Sequence, residues 1–548
     1  MNRLKSARVR WSILIFLLFY LPVIWMVART FGSGSVWRSW GEFLHSPLFL
    51  RTTGFSFLQA TISAGGSLLL ALPGAYLFGN FTFRGKSALR SLLILPFVLP
   101  GILVVLAFIV FYGRNGVIND ILSGLGIGAR FTGLYGFPGI ILAHIFYNFP
   151  LGIRIIGERW ERLDPVLAEA AGTLGARPWY VFRTITLPQL LPSMGYSFLL
   201  AFIYAFLSFT SVLVFGGMNF RSFEVLIYIT VNQKLDLPTA QAIAMTQIIL
   251  LSVPIFLMQR LGKRLGNQGT MRVLPRLRYK DRPLFNAGLF GYLIVLAAFF
   301  GGPLITILSR SFRPLGRANG PLTLGNYQSL GGPDFLYLAG SSFSAILGTS
   351  LGLAVAAGVC CVAIAYFSAR SQRNLPLGPM DGLAQMPLSV SFMTFAFGIY
   401  LFAGGLLPPL LLVLWAQIFL SFPLIYSMLR LARREMGEDI LEAAETLGST
   451  GWERWKSIEW PLLRSAIGTG LAFAAALSLG DLSSVLILGE GELITLPVAI
   501  YRLIGQYRFA YALALGTIFI GLAFMLFLMI ERLSRRGSKR EFEENDHA

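Results

Sequence analysis

Four places in this chain hold residues whose types and spacing could do chemistry. Gly79-Asn-Phe-Thr-Phe-Arg-Gly85-Lys86-Ser87 ends in the Gly-Lys-Ser of a phosphate-binding loop. That loop needs four residues between its glycines and a strand leading into a helix. Here five residues intervene and the segment joins two apolar stretches, so it reads as a basic turn and no ATP site is expected in this chain. Asp481, in Leu477-Ser-Leu-Gly-Asp-Leu-Ser-Ser484, is a carboxylate inside an apolar stretch. Such groups are costly in a membrane; Asp481 either lines a substrate path, or makes a polar contact between helices or lies near the outer surface. His144 and Asn148, four apart, share a helix face and could line that path or tie two helices together. Cys360 and Cys361 are adjacent, a spacing that suits neither an ordinary disulfide nor a metal pair. With three histidines besides, no metal site is expected. No nucleophile, base and orienting group converge in the sequence, so an enzyme is not expected either.

The elements that must position these residues are membrane helices. The chain of 548 residues is 55% hydrophobic and 13% charged, with a mean hydropathy of +0.67. Apolar stretches of about twenty residues, enough to cross a bilayer, recur along its whole length. Twelve spans are read, near 11–29, 55–79, 89–112, 137–157, 192–215, 239–259, 285–308, 342–368, 380–404, 408–429, 465–488 and 509–530. The first is too long for a signal-peptide core and is read as a retained helix. The expected class is an all-α polytopic membrane protein.

The net charge of +19 could point to nucleic acid, but its placement points to topology. With both termini placed in the cytoplasm, 33 of the 45 Lys and Arg fall on the inner segments and the other 12 on the outer ones. That is the positive-inside asymmetry. Basic residues so placed are anchors and contacts for anionic lipid. No nucleic-acid partner is expected.

One pattern occurs twice. Glu169-Ala-Ala-Gly-Thr-Leu-Gly175 runs on to Ile185-Thr-Leu-Pro188, and Glu442-Ala-Ala-Glu-Thr-Leu-Gly448 runs on to Ile458-Glu-Trp-Pro461. The offset is 273 residues without a gap, and it also matches Phe149-Pro150-Leu151 to Phe422-Pro423-Leu424, Gly216 to Gly489 and Tyr228 to Tyr501. An even number of spans per half makes these parallel repeats. The chain is therefore divided into a first domain over 1–259 with its loop at 158–190, a basic linker over 260–283, and a second domain over 284–548 with its loop at 430–463. Within each loop, Asp164-Pro165 is suited to open a short helix, and Gly175 or Gly448 to end it. A second short helix is expected from about Pro178 until Pro188 stops it. Trp179, Phe182 and Ile185 lie on one face of that helix, as do Trp452, Trp455 and Ile458 in the other copy. An apolar stripe of this kind either lies on the membrane interface or enters a groove on a partner.

The doubled Glu-Ala-Ala, Gly, Ile-x-Leu-Pro pattern resembles the cytoplasmic signature loop of ABC-importer permeases, with Trp460 in place of the usual Leu. The resemblance implies a type I importer fold of two fused six-helix permease domains. It implies that Glu169, Ala170, Ala171, Gly175, Trp179, Phe182 and Ile185, with Glu442, Ala443, Ala444, Gly448, Trp452, Trp455 and Ile458, receive the push of a separate ATPase. It further implies two copies of that cytoplasmic ATPase carrying the ATP and Mg, an extracytoplasmic substrate-binding protein, and residence in a bacterial inner membrane.

Other stretches resemble bacterial thiamine permeases: Tyr112-Gly-Arg-Asn-Gly116, Leu142-Ala-His-Ile-Phe-Tyr-Asn-Phe-Pro150, the run ending at Asp481, Thr495-Leu-Pro497, Tyr501 and Ile504-Gly-Gln-Tyr-Arg508. Iron(III) permeases share the same duplicated plan. The implied cargo is thiamine or a related pyrimidine, with iron(III) as the alternative. At the 273 offset Asp481 faces Ser208 in the register, a lopsided pair that suits a cationic cargo. A secondary transporter driven by an ion gradient would need more than one buried carboxylate, and Asp481 alone stands out in the sequence.

Overall fold

The computed structural model describes every residue except 1, 84, 94–98, 129, 165, 218, 265–282, 315–319, 373–378, 386–389, 437–438 and 546–548. The linker read at 260–283 and Pro165 of the first loop therefore lie largely or wholly outside the described residues. What is described is helical, with no strand beyond one isolated bridge between Gly404 and Leu407.

Among the described residues, ten helices are long and apolar enough to cross a bilayer. A bent pair, Arg10–Phe19 and Leu21–Gly32, which meet at 55°, is together long and apolar enough for one broken span or a re-entrant loop. Pro22 sits in the first turn after the bend, where its missing N–H costs nothing. The stretch read as a span at 380–404 differs from expectation. It holds two short helices, Pro379–Gln385 and Phe392–Ala403. Twelve residues rise about 18 Å, short of the roughly 30 Å hydrocarbon core.

The fifth span of each half also departs from the reading. Pro188 does not stop the loop helix. The helix runs on as Pro178–Phe206, and its counterpart as Gly451–Leu479. Each contains one π-helical turn, Phe182–Thr186 or Trp455–Glu459, just before its proline. The wider turn lets Leu187 N–H reach the Phe182 carbonyl, and Trp460 N–H the Trp455 carbonyl. A proline ring ordinarily collides with the carbonyl four residues back; a π turn widens the helix at that point. Signature-loop helix and membrane helix are thus one rod. At the far end the rods stop earlier than expected, at Phe206 and Leu479, and six-residue helices follow, Thr210–Phe215 and Ser483–Leu488. Ser208 and Asp481 lie in these two breaks.

Contacts divide the chain into two compact units that do not follow the two halves of the sequence. One contains residues 1–37, 98–103 and 310–548; the other contains 38–97 and 104–309. In the first unit the bent N-terminal pair packs on second-half helices. Trp11 stacks on Phe367 at 5.5 Å, Phe19 meets Phe422 at 4.8 Å, and Trp415 donates to the Leu18 carbonyl at 2.7 Å. In the other unit, helix Pro283–Ser311 opens the second half of the sequence yet packs on first-half helices. Phe300 stacks on Phe146 at 4.5 Å, and Tyr292 donates to the Leu70 carbonyl at 2.9 Å. Each half therefore lends its first helix to the other's core, and aromatic rings form both seams. Between lipid and helix there is little hydrophobic gain, so such shape-specific packing and hydrogen bonds decide which helices associate.

Candidate coupling surface and buried polar centre

The two signature loops have the same backbone. In the first, helix Val166–Thr173 is capped by Asp164, whose Oδ1 accepts from Val166 N–H at 2.9 Å. It closes in a Schellman turn: Ala176 N–H reaches the Ala171 carbonyl and Gly175 N–H the Gly172 carbonyl, both at 3.0 Å. In the second, Asp439–Thr446 ends with Ser449 N–H on the Ala444 carbonyl and Gly448 N–H on the Glu445 carbonyl, again both at 3.0 Å. Gly175 has φ +82° and Gly448 φ +80°, the left-handed conformation that this turn demands and that side chains resist. The second helix starts differently in the two copies. Pro178 opens one, while a Thr450–Glu453 capping box opens the other.

The aromatic stripe is divided in use. Trp179 and Trp452 are 69% and 67% exposed. Phe182 and Trp455, one turn on, are half-buried, as are Ile185 and Ile458. Phe182 stacks on Trp160 at 6.2 Å. Leu174 and Leu447, at the register partners just before each glycine, are both 88% exposed. So each loop presents the Leu before its glycine and the first Trp of its stripe outward, among other exposed apolar side chains such as Leu167 and Ile440, and uses the rest of the stripe to hold itself down. The reading of the stripe missed the leucines, though their 273 spacing was visible. Glu169, Ala170, Glu442 and Ala443 are exposed, whereas Ala171 is half-buried and Ala444 buried.

Lys86, the lysine of the near phosphate loop, is committed elsewhere. It donates to the Phe78 and Phe81 carbonyls at 2.8 and 3.0 Å and pairs with Glu161 at 3.3 Å. Burial pulls its ammonium below the ordinary lysine range, with Glu161 opposing the shift.

These observations stand beside a sequence match. The pattern of the family described as "binding-protein-dependent transport system inner membrane component" fits residues 71–267 and again 361–539. The chain belongs to that family. Its relatives include the thiamine transport system permease proteins of Escherichia coli strain K12, 29% identical with 89% of each chain covered, and of Salmonella typhimurium strain LT2, 28% identical with 94% of each covered. A protein of Haemophilus influenzae named as a ferric transport system permease is 25% identical over 75% of this chain and 65% of its own. This is a multi-pass inner-membrane permease, built from two repeats of one permease module.

Inside the second half of the permease, Asp481 is buried and its oxygens are taken. Oδ1 accepts from Ser484 N–H at 3.1 Å; Oδ2 accepts from the Ser484 hydroxyl and, at 3.3 Å, from Gln417 Nε2. Gln417 in turn reaches the Ser478 carbonyl at 3.5 Å and accepts from the Ser478 hydroxyl at 2.6 Å. The carboxylate thereby supports the start of helix Ser483–Leu488 and ties the break to the fourth span. Gln417 is the 273-register partner of His144. In the first half His144 is buried and shares a hydrogen bond with Ser63 through Nδ1 at 3.2 Å, Asn148 is buried one turn on, and Ser208 gives its carbonyl to the Ser222 hydroxyl at 3.0 Å. The task of Gln417 passes to Gln59, which donates to the Ala205 carbonyl at 2.8 Å, the register partner of Ser478. Both halves thus hold the end of the fifth rod with an amide, taken from different helices.

Asp481 is not alone, contrary to the sequence reading. Glu224 is buried and accepts from Gln247 at 2.5 Å; Glu459 and Asp381 are buried with arginines. Glu224 is missed there because the stretch 216–238, between the spans read at 192–215 and 239–259, reads as an outer segment. In the structure it contains the apolar helix Phe223–Asn232. Among the described residues no group of three His, Cys, Asp or Glu is placed to hold a metal ion.

Proposed function

We propose that this permease moves thiamine or a related pyrimidine compound into the cytoplasm by alternating access, with iron(III) as the alternative cargo. The thiamine-named relatives are matched over about nine-tenths of both chains, and the ferric-named one over a smaller share. That difference in coverage carries the choice of cargo. Two ATPase copies, holding ATP and Mg, dock on the loops through Leu174 with Trp179 and through Leu447 with Trp452. Glu169, Ala170, Ala171, Gly175, Phe182 and Ile185 shape the first dock, and Glu442, Ala443, Ala444, Gly448, Trp455 and Ile458 the second. A binding protein delivers the cargo from outside, and both termini lie in the cytoplasm. The rod geometry supports this reading: a displacement at either loop is carried into a membrane helix with no joint between them. Ser208 and Asp481 lie in the breaks that follow these rods, where movement would open or close a path; His144 and Asn148, buried on helix Phe137–Glu161, are the further candidates for that path.

The test is uptake in vesicles holding this permease, its ATPase and its binding protein, with labelled thiamine and iron(III) offered separately. ATP-dependent thiamine accumulation that iron does not compete with is expected. Accumulation of iron alone would transfer the assignment to the ferric reading, and uptake without any ATPase would remove the importer mechanism.

A further inference from the structure

The two coupling rods are fastened to their own halves by different physics. In the first half the seat is apolar. Trp160 stacks on Phe182 at 6.2 Å, Tyr76 meets Trp160 edge-on at 5.3 Å, and Ala75, Ile156, Leu163 and Leu190 close the cluster. In the second half the register partner of Trp160 is Arg433, and that of Thr186 is Glu459. Glu459 is 1% exposed. Its Oε2 accepts from Tyr366 Oη at 2.5 Å and from Arg433 Nη1 at 3.0 Å, while Oε1 faces Arg370 at 3.7 Å and Arg454 at 3.8 Å. Tyr366 and Arg370 come from helix Phe343–Ser371, Arg433 from Pro409–Glu435, and Arg454 and Glu459 from the rod itself. Tyr366 also lies under the Arg433 guanidinium at 6.0 Å, much as Tyr76 lies against Trp160. One carboxylate, set in the π turn of the rod, therefore gathers three helices.

We propose that Glu459 is the positioning residue that locks the second coupling rod to the second and fourth spans of its half, so that the two drive points are mechanically unequal. This rests on reading the two loops as ATPase docks. An aromatic stack tolerates sliding, because dispersion contacts are many and individually weak. A buried charge cluster does not, because displacing one member leaves a charge without its partner. The stroke received at Trp452 passes from its rod to the neighbouring spans through a rigid charged contact, and the stroke received at Trp179 through a compliant apolar one.

The experiment compares Glu459→Gln, Glu459→Asp and Thr186→Ala in proteoliposomes with the ATPase and the loaded binding protein. Two quantities are read, ATPase retained and cargo moved per ATP hydrolysed. Glu459→Gln is expected to keep the ATPase bound while the cargo-to-ATP ratio falls at least fivefold. Glu459→Asp should recover more than half of the ratio, and Thr186→Ala should leave it within twofold of the parent. An unchanged ratio in Glu459→Gln would overturn the proposal, as would a Glu459→Asp protein no better than the glutamine variant or a loss equal in Thr186→Ala. Loss of bound ATPase in Glu459→Gln would make this a docking residue and also overturn it. If Glu459→Gln does not fold, the double variant Arg433→Trp with Glu459→Thr gives the second seat the first half's residues. A lowered ratio in that protein supports the proposal and an unchanged one refutes it. If the parent permease retains no ATPase at all, it is the importer assignment that fails.

Discussion

At the scale of single residues, the two glycines of the coupling loops have no substitute. A β-branched side chain at φ near +80° costs about 1–2 kcal/mol and opens the Schellman turn. Gly175→Val with Gly448→Val should therefore weaken ATPase retention on the purified permease by tenfold or more. Retention and transport at parental levels would sink the coupling assignment. Asp481 poses a different question. Its oxygens accept from donors of its own half, Ser484 and Gln417 among them. Asp481→Asn would turn an NH2 group toward those donors, a loss of about 1–3 kcal/mol for a buried polar group left unpaired. The expected outcome is a lower melting temperature of the detergent-purified protein with cargo affinity little changed. Unchanged melting with a large loss of affinity would instead put the carboxylate in direct contact with cargo.

At the scale of elements, a short π turn decides what the signature loop is. Read by propensity, Pro188 and Pro461 end the loop helix. In three dimensions each is the point where the loop becomes a membrane span. The same tier shows how the turn after the second span is pinned to the end of the fourth. In the first half Lys86 and Arg90 of the turn hold Glu161, at 3.3 and 2.5 Å. In the second half Asp381 from the corresponding stretch holds Arg430 at 3.2 Å. The signs are exchanged, so the job is kept while the residues are not. The exposed pair Leu174 and Trp179 should act with Leu447 and Trp452 as the apolar anchors of docking. Each Trp→Ala change is expected to lower ATPase affinity by about 2 kcal/mol or more, as buried aromatic anchors do. Titration of the ATPase onto immobilised permease measures this. Parental affinity in both Trp179→Ala and Trp452→Ala would place the stripe on the membrane interface instead.

At the scale of the whole molecule, the fused chain is not two domains laid end to end. Residues 1–37 belong to the compact unit built mainly from the second half, and 283–309 to the unit built mainly from the first. Either half expressed by itself would expose the aromatic seam that its missing helix covers. The chain cut within 265–282 should thus yield membrane-stable protein when both pieces are made together, and degraded pieces when either is made alone. Quantifying each fragment in isolated membranes tests this; a second half stable without residues 1–264 would contradict it.

How much of this was legible beforehand follows from what each feature depends on. The membrane class, the two repeats, the loop helix with its Asp164 cap and the glycine stops are local or periodic. They rest on apolar run length and on residues with one special backbone habit, so they are written in the chain itself. The family of the loop follows from the same spacings. Which helix each half lends to the other, the charged seat of Glu459 against the aromatic seat of Trp160, and the contact of Gln417 with Asp481 depend on side chains tens to hundreds of residues apart. Such pairings leave no period in the sequence. They are decided by which surfaces can pack closely and satisfy their buried polar groups at once, and only the folded chain settles that.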